Sequence, residues 1–245
     1  MRTVRYQTIA DALRTDVVEA SFPPGGLLPS EKDLSERFKV SRVTVRRALE
    51  LLREEGLVDA RQGFGWFVAT APVRQSLAHL ATIEDQMASS GLLAERQVLE
   101  FGFQAASVHV QATLGCDQVL RVRRLNLADG APFAVVTVWC PADVGQHLSR
   151  ADVERLPFYE LLPTPLGSAT QTIGAAAASA SDAALLEVPV GSPVLRCERV
   201  TRDADGHPVL FSEHVFAGHR TEFVVDLSGE QRSIAPSGLR LVAER

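Results

Sequence analysis

The sequence predicts an α+β chain of two domains: a small helical unit closed by a β-hairpin, then a larger and mostly antiparallel sheet domain. Three observations predict it. Apolar residues recur at helical spacing in the first fifty residues and as short Val-, Leu- and Phe-rich runs from residue 98 onward. Positive charge is concentrated in one early stretch of a chain whose net charge is -5. A turn signature, Asp-Gly with Pro two residues on, occurs twice, each time after a similar strand-like run. The expected division is 1–70, a linker over 71–78, 79–227, and an irregular tail over 228–245.

At 245 residues and 46% hydrophobic content the chain is long enough for two cores. No apolar run reaches the roughly 20 residues that cross a bilayer, and Met1 to Thr15 carries charges where a secretory signal needs an apolar region. A cytoplasmic protein without membrane partners is expected. Cys116, Cys140 and Cys197 are odd in number and widely spaced, so they are read as small apolar residues in a reducing compartment. No cofactor and no metal is expected: Glu213 and His214 alternate across a strand, and His207 and His219 fall near turns.

In the first domain, Ile9, Leu13 and Val17 recur every four residues with Ala10 and Ala20 beside them, which predicts an amphipathic helix stopped by Pro23-Pro24-Gly25-Gly26. Ser30 and Asp33 stand at capping-box spacing and open a short second helix reaching Phe38. After a turn at Val40, Ser41 caps a third helix with Val45, Ala48, Leu49 and Leu52 as its apolar stripe, and Gly56 closes it. Two short strands, 57–60 and 66–69, flank a glycine-containing tip at Arg61 to Gly65. This is a winged helix-turn-helix.

Net acidity argues against a nucleic-acid partner, but its distribution reverses that. Residues 37–49 hold Arg37, Lys39, Arg42, Arg46 and Arg47 and no acid, whereas residues from 71 onward hold 14 Lys+Arg against 20 Asp+Glu. The basic residues fall in the first turns of the third helix, the end that enters a major groove in helix-turn-helix proteins. Arg42, Thr44 and Arg46 are candidates for base or phosphate contact, and Arg61 or Gln62 for contact from the wing. Pro24-Gly25, Leu28-Pro29-Ser30-Glu31, Val40-Ser41-Arg42, Thr44-Val45-Arg46, Glu55-Gly56-Leu57 and Gln62-Gly63 resemble the GntR-type regulators. The resemblance implies that Lys32, Ser41, Arg42, Thr44, Arg46, Gln62 and Gly63 contact double-stranded operator DNA. Val43, where many members carry Thr, is a departure.

Beyond Ala71-Pro72, Thr82 to Ser90 reads as a helix with Thr82 and Asp85 at capping-box spacing. Strands are predicted over 98–103, 119–127, 133–139, 194–202, 209–216 and 223–227. An internal duplication organises them. Val119-Leu120-Arg121 leads to Arg124 and then Asp129-Gly130-Ala131-Pro132; Val194-Leu195-Arg196 leads to Arg199 and then Asp205-Gly206-His207-Pro208. Each half reads as a hairpin with positive φ supplied by Asp-Gly and Pro starting the returning strand, preceded by a helix near 107–114 or 181–187. A pseudo-symmetric α+β domain with a small-molecule cleft follows.

Together with Phe158-Tyr159-Glu160-Leu161-Leu162 between the halves, these residues resemble the UTRA effector domain of the HutC branch of GntR regulators. That resemblance implies a chorismate-lyase-like fold, a homodimer and a small-molecule effector. Members that bind phosphosugars carry Arg-x-Arg on the first hairpin, a Glu on the returning strand and a Ser before the Phe/Tyr pair; here these are Arg124-Leu125-Asn126, Val136 and Pro157. The loss of a second guanidinium there argues against a phosphosugar. Ser212 to Arg220 also departs from the common pattern and looks closer to the phosphonate-operon regulators. Candidate effector residues are Thr82, Ile83, Arg124, Asn126 and Glu213.

The expected function is a repressor released from a palindromic operator by a metabolite. A DNA-binding regulator that has lost small-molecule sensing and answers to a partner protein is the second reading. An enzyme is the third, since the resembled fold is shared with a lyase, but no catalytic triad, metal motif or phosphate loop supports it.

Overall fold

The computed structural model describes residues 5–19, 21–23, 25–61, 65–69, 73–76 and 93–225. Its first unit is three helices and a hairpin: α1 (Arg5–Val18), α2 (Glu31–Phe38), α3 (Arg42–Glu54), β1 (Val58–Arg61) and β2 (Gly65–Val68). Ile9, Ala10 and Leu13 of α1 meet Leu34 of α2, the Val45, Ala48, Leu49 and Leu52 stripe of α3, and Val58, Trp66 and Val68 of the hairpin in one buried cluster. α1 stops at Val18, ahead of Pro23 and of the stop expected there. Ser30 and Asp33 form the reciprocal capping box, each side chain accepting from the other's backbone N–H at 3.2 Å. Lys39 then takes a left-handed conformation, φ 52°, to make the turn into α3.

Strand β3 (Val73–Ser76) follows, a strand inside the stretch expected as linker. The second unit is a six-stranded sheet in the order β4-β5-β6-β9-β8-β7, every neighbouring pair antiparallel. Its chain order is β4 (Ala94–Ala105), α4 (Val108–Leu114), β5 (Gln118–Ala128), β6 (Ala131–Pro141), three short helices α5 (Ala142–Gly145), α6 (Arg150–Arg155) and α7 (Phe158–Leu161), β7 (Leu166–Ala177), α8 (Ala180–Leu186), β8 (Pro193–Asp203) and β9 (Pro208–Ala217). The predicted duplication is therefore strand-helix-strand-strand, twice. β6 and β9 meet at the centre, Val136 opposite His214 and Val138 opposite Ser212, and relate the halves by an approximate two-fold axis.

Because side chains alternate along a strand, the sheet has two distinct faces. One carries Trp139, Phe211, Val135 and Val215 under α4 and α8. The other carries Val122, Val136, Val138 and Phe216 under the segment containing Val153 and Phe158. β6 is buried on both faces, which is why its sequence reads as an almost unbroken apolar run. The two turns differ. Asp129 and Gly130 both have positive φ, 48° and 76°, as a tight two-residue turn requires. In the second turn only Gly206 does; Asp203 instead accepts the Asp205 and His207 backbone N–H groups through Oδ1, giving a wider loop. Strand β10 (Thr221–Val224), where 223–227 was expected, leaves the sheet and pairs in parallel with β3. The helix expected over Thr82 to Ser90 and the tail from 228 lie outside the described residues.

Candidate nucleic-acid interface and effector pocket

Ser41 caps α3 by accepting the Thr44 backbone N–H at 3.3 Å, and its hydroxyl lies 2.9 Å from that of Thr44. The first turn of α3 is thereby fixed with Ser41, Arg42 and Val43 exposed, Val43 by 78%. Among the described residues Arg42 makes no ion pair within 4 Å, so its guanidinium is available at the helix end where amides also face outward. Arg46 is different. It forms a two-pronged pair with Glu31, at 2.9 and 2.8 Å, and the Trp66 indole N–H donates to the same carboxylate at 3.2 Å. Glu31 thus ties α2, α3 and the wing together, and the Arg46 hydrogen bonds hold its carboxyl below the usual range. Lys32 is exposed, 3.9 Å from Glu36. Of the other basic residues, Arg47 stands over the Tyr6 ring at 4.7 Å and Arg37 pairs with Asp16 at 3.0 Å. Gln62 and Gly63 lie outside the described residues.

In the sheet domain, Arg124 of β5 and Arg199 of β8 line one cavity between the sheet and α7. Its floor is Val136, Val138, Leu210, Ser212 and His214, and its roof Pro157, Phe158 and Tyr159. Val136 and Pro157, the two departures noted in the sequence, both line it. The Arg124 guanidinium lies 5.5 Å from the Phe158 ring centroid. Arg199 donates to Gln171 Oε1 at 2.7 Å and to the Tyr159 hydroxyl at 3.0 Å. Asn126 is buried on the same face as Arg124 but does not line the cavity. Glu213 sits on the opposite face, in a recess with Arg121, Arg123 and Arg196, where burial raises its carboxyl pKa. Strand alternation separates it from Arg124. Thr82 and Ile83 lie outside the described residues. Arg199, Tyr159 and His214 were not singled out as site residues in the sequence; the signal for Arg199 was its place as the duplicate of Arg124.

His214 is buried, its Nε2 3.0 Å from the Ser212 hydroxyl. Burial, with Arg199 and Arg124 nearby, pushes its pKa down from 6.5 to about 3. The folded protein therefore holds a neutral imidazole while the unfolded chain takes up a proton near pH 6.5, so stability falls as pH drops from about 6.5 to about 3. His214→Gln is expected to lose less stability than wild type between about pH 7 and about pH 5, measured by urea unfolding at each pH. Equal losses would contradict the assignment.

The two units touch where β9 ends. His219 packs edge-on against Phe67 of the wing, ring centroids 5.3 Å apart, and its Nε2 lies 3.4 Å from the Gly25 carbonyl oxygen. Leu27 packs on the cluster formed by Leu125, Val135 and Val215. Arg220 donates to the Pro132 carbonyl at 2.9 Å, anchoring this turn to the start of β6.

A basic helix presented by a wing-braced head, joined to a duplicated sheet domain with a cavity lined by two arginines, defines a ligand-responsive, DNA-binding transcriptional regulator. The chain belongs to the GntR family: the model for bacterial regulatory proteins of the gntR family matches residues 5–68, and the UTRA domain model matches residues 89–222. It is 36% identical over 248 residues to the HTH-type transcriptional regulator Rv0792c of Mycobacterium tuberculosis, covering 97% of this chain and 90% of that one. It is 28% identical to the HTH-type transcriptional repressor NagR of Bacillus subtilis, over 89% of this chain and 93% of that protein. The crystal structure of PhnF from Mycobacterium smegmatis superposes with a TM-score of 0.62 at 25% identity, covering 90% of this chain and 99% of that one. Among the described residues no helix is long and apolar enough to cross a membrane.

Proposed function

We propose that this chain is a homodimeric repressor that binds a palindromic operator and is released when a small metabolite other than a phosphosugar occupies the Arg124 cavity. It acts in the cytoplasm by binding, without turnover. The observation that carries the reading is the continuity of β9: Ser212 and His214 line the cavity, and five residues after His214 the same chain direction delivers His219 onto Phe67 and Gly25 of the DNA head. A ligand that prefers one arrangement of this strand biases the head, which is what coupling between two sites requires. Arg42, Thr44 and Ser41 contact DNA directly, and Lys32 meets phosphate. Arg46 reads DNA in the orientation Glu31 gives it.

His219→Ala is expected to keep operator affinity within a few-fold while reducing effector-driven release by about 5- to 30-fold, the range of ~1–2 kcal/mol of coupling. Operator titrations with and without the inducing metabolite, alongside sedimentation to read the dimer, check this. Undiminished release in the variant would remove His219 from the route, and a monomer that binds operator with full affinity would overturn the homodimer.

A further inference from the structure

The cavity's chemistry narrows its ligand, on the reading above that this cavity is the effector site. Arg124 and Arg199 occupy corresponding positions of the internal duplication: each follows its Val-Leu-Arg by the same spacing, and each faces a residue of the returning strand, Val136 for Arg124 and Ser212 for Arg199. Val138 and His214 correspond in the same way. The cavity thus lies on the approximate two-fold axis, and the guanidinium missing from the Arg-x-Arg position is supplied by the other half of the domain. Both guanidinia line one space with no acidic side chain among the described lining residues. Among the described lining residues a cationic ligand finds no counter-charge and a polyol no carboxylate to accept its hydroxyls.

The donors are few. Arg199 commits Nε to Gln171 and one terminal nitrogen to Tyr159, and the Tyr159 hydroxyl is 3.4 Å from that of Thr201. Ser212 is engaged with His214, which is neutral and buried. Around these groups the surface is apolar, formed by Val136, Val138, Phe158 and Leu210. Such a space suits two anionic oxygens and an apolar body more than the three oxygens of a phosphate dianion.

We propose that the effector is a compact organic carboxylate with an apolar body, its carboxylate held by Arg124 and Arg199 and its body against Val136, Val138 and Leu210. Arg199 is then an effector-binding residue equal in importance to Arg124.

The test uses the full chain. Thermal shift and calorimetric titration are run with benzoate, phenylacetate and hexanoate, and with phenylacetamide, phenethylamine and glucosamine 6-phosphate as contrasts. At least one carboxylate is expected to stabilise the protein, with the neutral amide at least about 10-fold weaker, as a charge-assisted hydrogen bond implies. Arg199→Met should weaken that carboxylate by about 10-fold or more, and Arg199→Lys by less, since it keeps the charge. The proposal is overturned if none of the three carboxylates binds at millimolar concentration, if phenylacetamide binds as well as phenylacetate, or if glucosamine 6-phosphate binds more tightly than all three. A carboxylate that binds as predicted yet leaves operator affinity unchanged would keep this ligand class and remove the regulatory reading. Operator release by glucosamine 6-phosphate alone would keep regulation by a small molecule and overturn both this ligand class and the exclusion of a phosphosugar.

Discussion

Arg42→Ala is expected to weaken operator binding by about 5- to 150-fold, or ~1–3 kcal/mol, with little change in stability. The size follows from its position. Arg42 is the first residue of α3, exposed, and free of any ion pair among the described residues, so its removal breaks no internal contact while deleting the guanidinium best placed for a base edge. Arg46 behaves differently because the Glu31 pair must be kept or broken when DNA arrives, and its substitution also loosens the joint between α2 and the wing. Fluorescence anisotropy on operator and scrambled duplexes separates the two kinds of contact. A loss for Arg42→Ala that is equal on both duplexes would reduce it to a phosphate contact.

Leu49→Ala is expected to cost the DNA head ~2–5 kcal/mol, the range for a fully buried leucine whose cavity cannot collapse. Leu49 is 0% exposed in the cluster where α1, α2, α3 and the hairpin meet, so its truncation opens a cavity in the core they share. Urea unfolding followed by Trp66 fluorescence, in a Trp139→Phe background, reads the head. Val43→Ala on the exposed side of the same helix serves as the comparison and should stay within about 0.5 kcal/mol. If the two variants unfold alike, the packing assigned to α3 is wrong.

What could be read from the sequence was local. Ser30, Asp33 and Ser41 announced the starts of α2 and α3 because a cap is a short-range hydrogen bond between residues three apart. The duplication and its first Asp-Gly turn were legible for the same reason. Strand β7 was missed because Leu166–Ala177 is built of Ala, Gly, Ser and Thr, an edge strand with few β-branched apolar residues and much of its surface exposed. The parallel pairing of β3 with β10 joins residues some 150 apart, and nothing in either short segment signals its partner. The site divided along the same line. Arg124 was found from its motif, but Arg199 enters the cavity only once β6 and β9 bring the two halves together. Glu213, one residue before His214, was carried to the other face by the strand period, and the Glu31–Arg46–Trp66 joint depends on a hairpin folding back over α2.

In the proposed function, a small molecule in the sheet domain controls the grip of the basic helix on a particular DNA sequence. The most direct measurement is a titration of the full chain against duplex DNA from its own upstream region and against a scrambled duplex at about 0.15 M salt, with and without a carboxylate shown to bind the Arg124 cavity. Binding at least about 1,000-fold tighter to the upstream duplex is expected, with loss of that preference when the ligand is added. Equal affinity for the two duplexes, or a preference that the bound ligand leaves untouched, would contradict it.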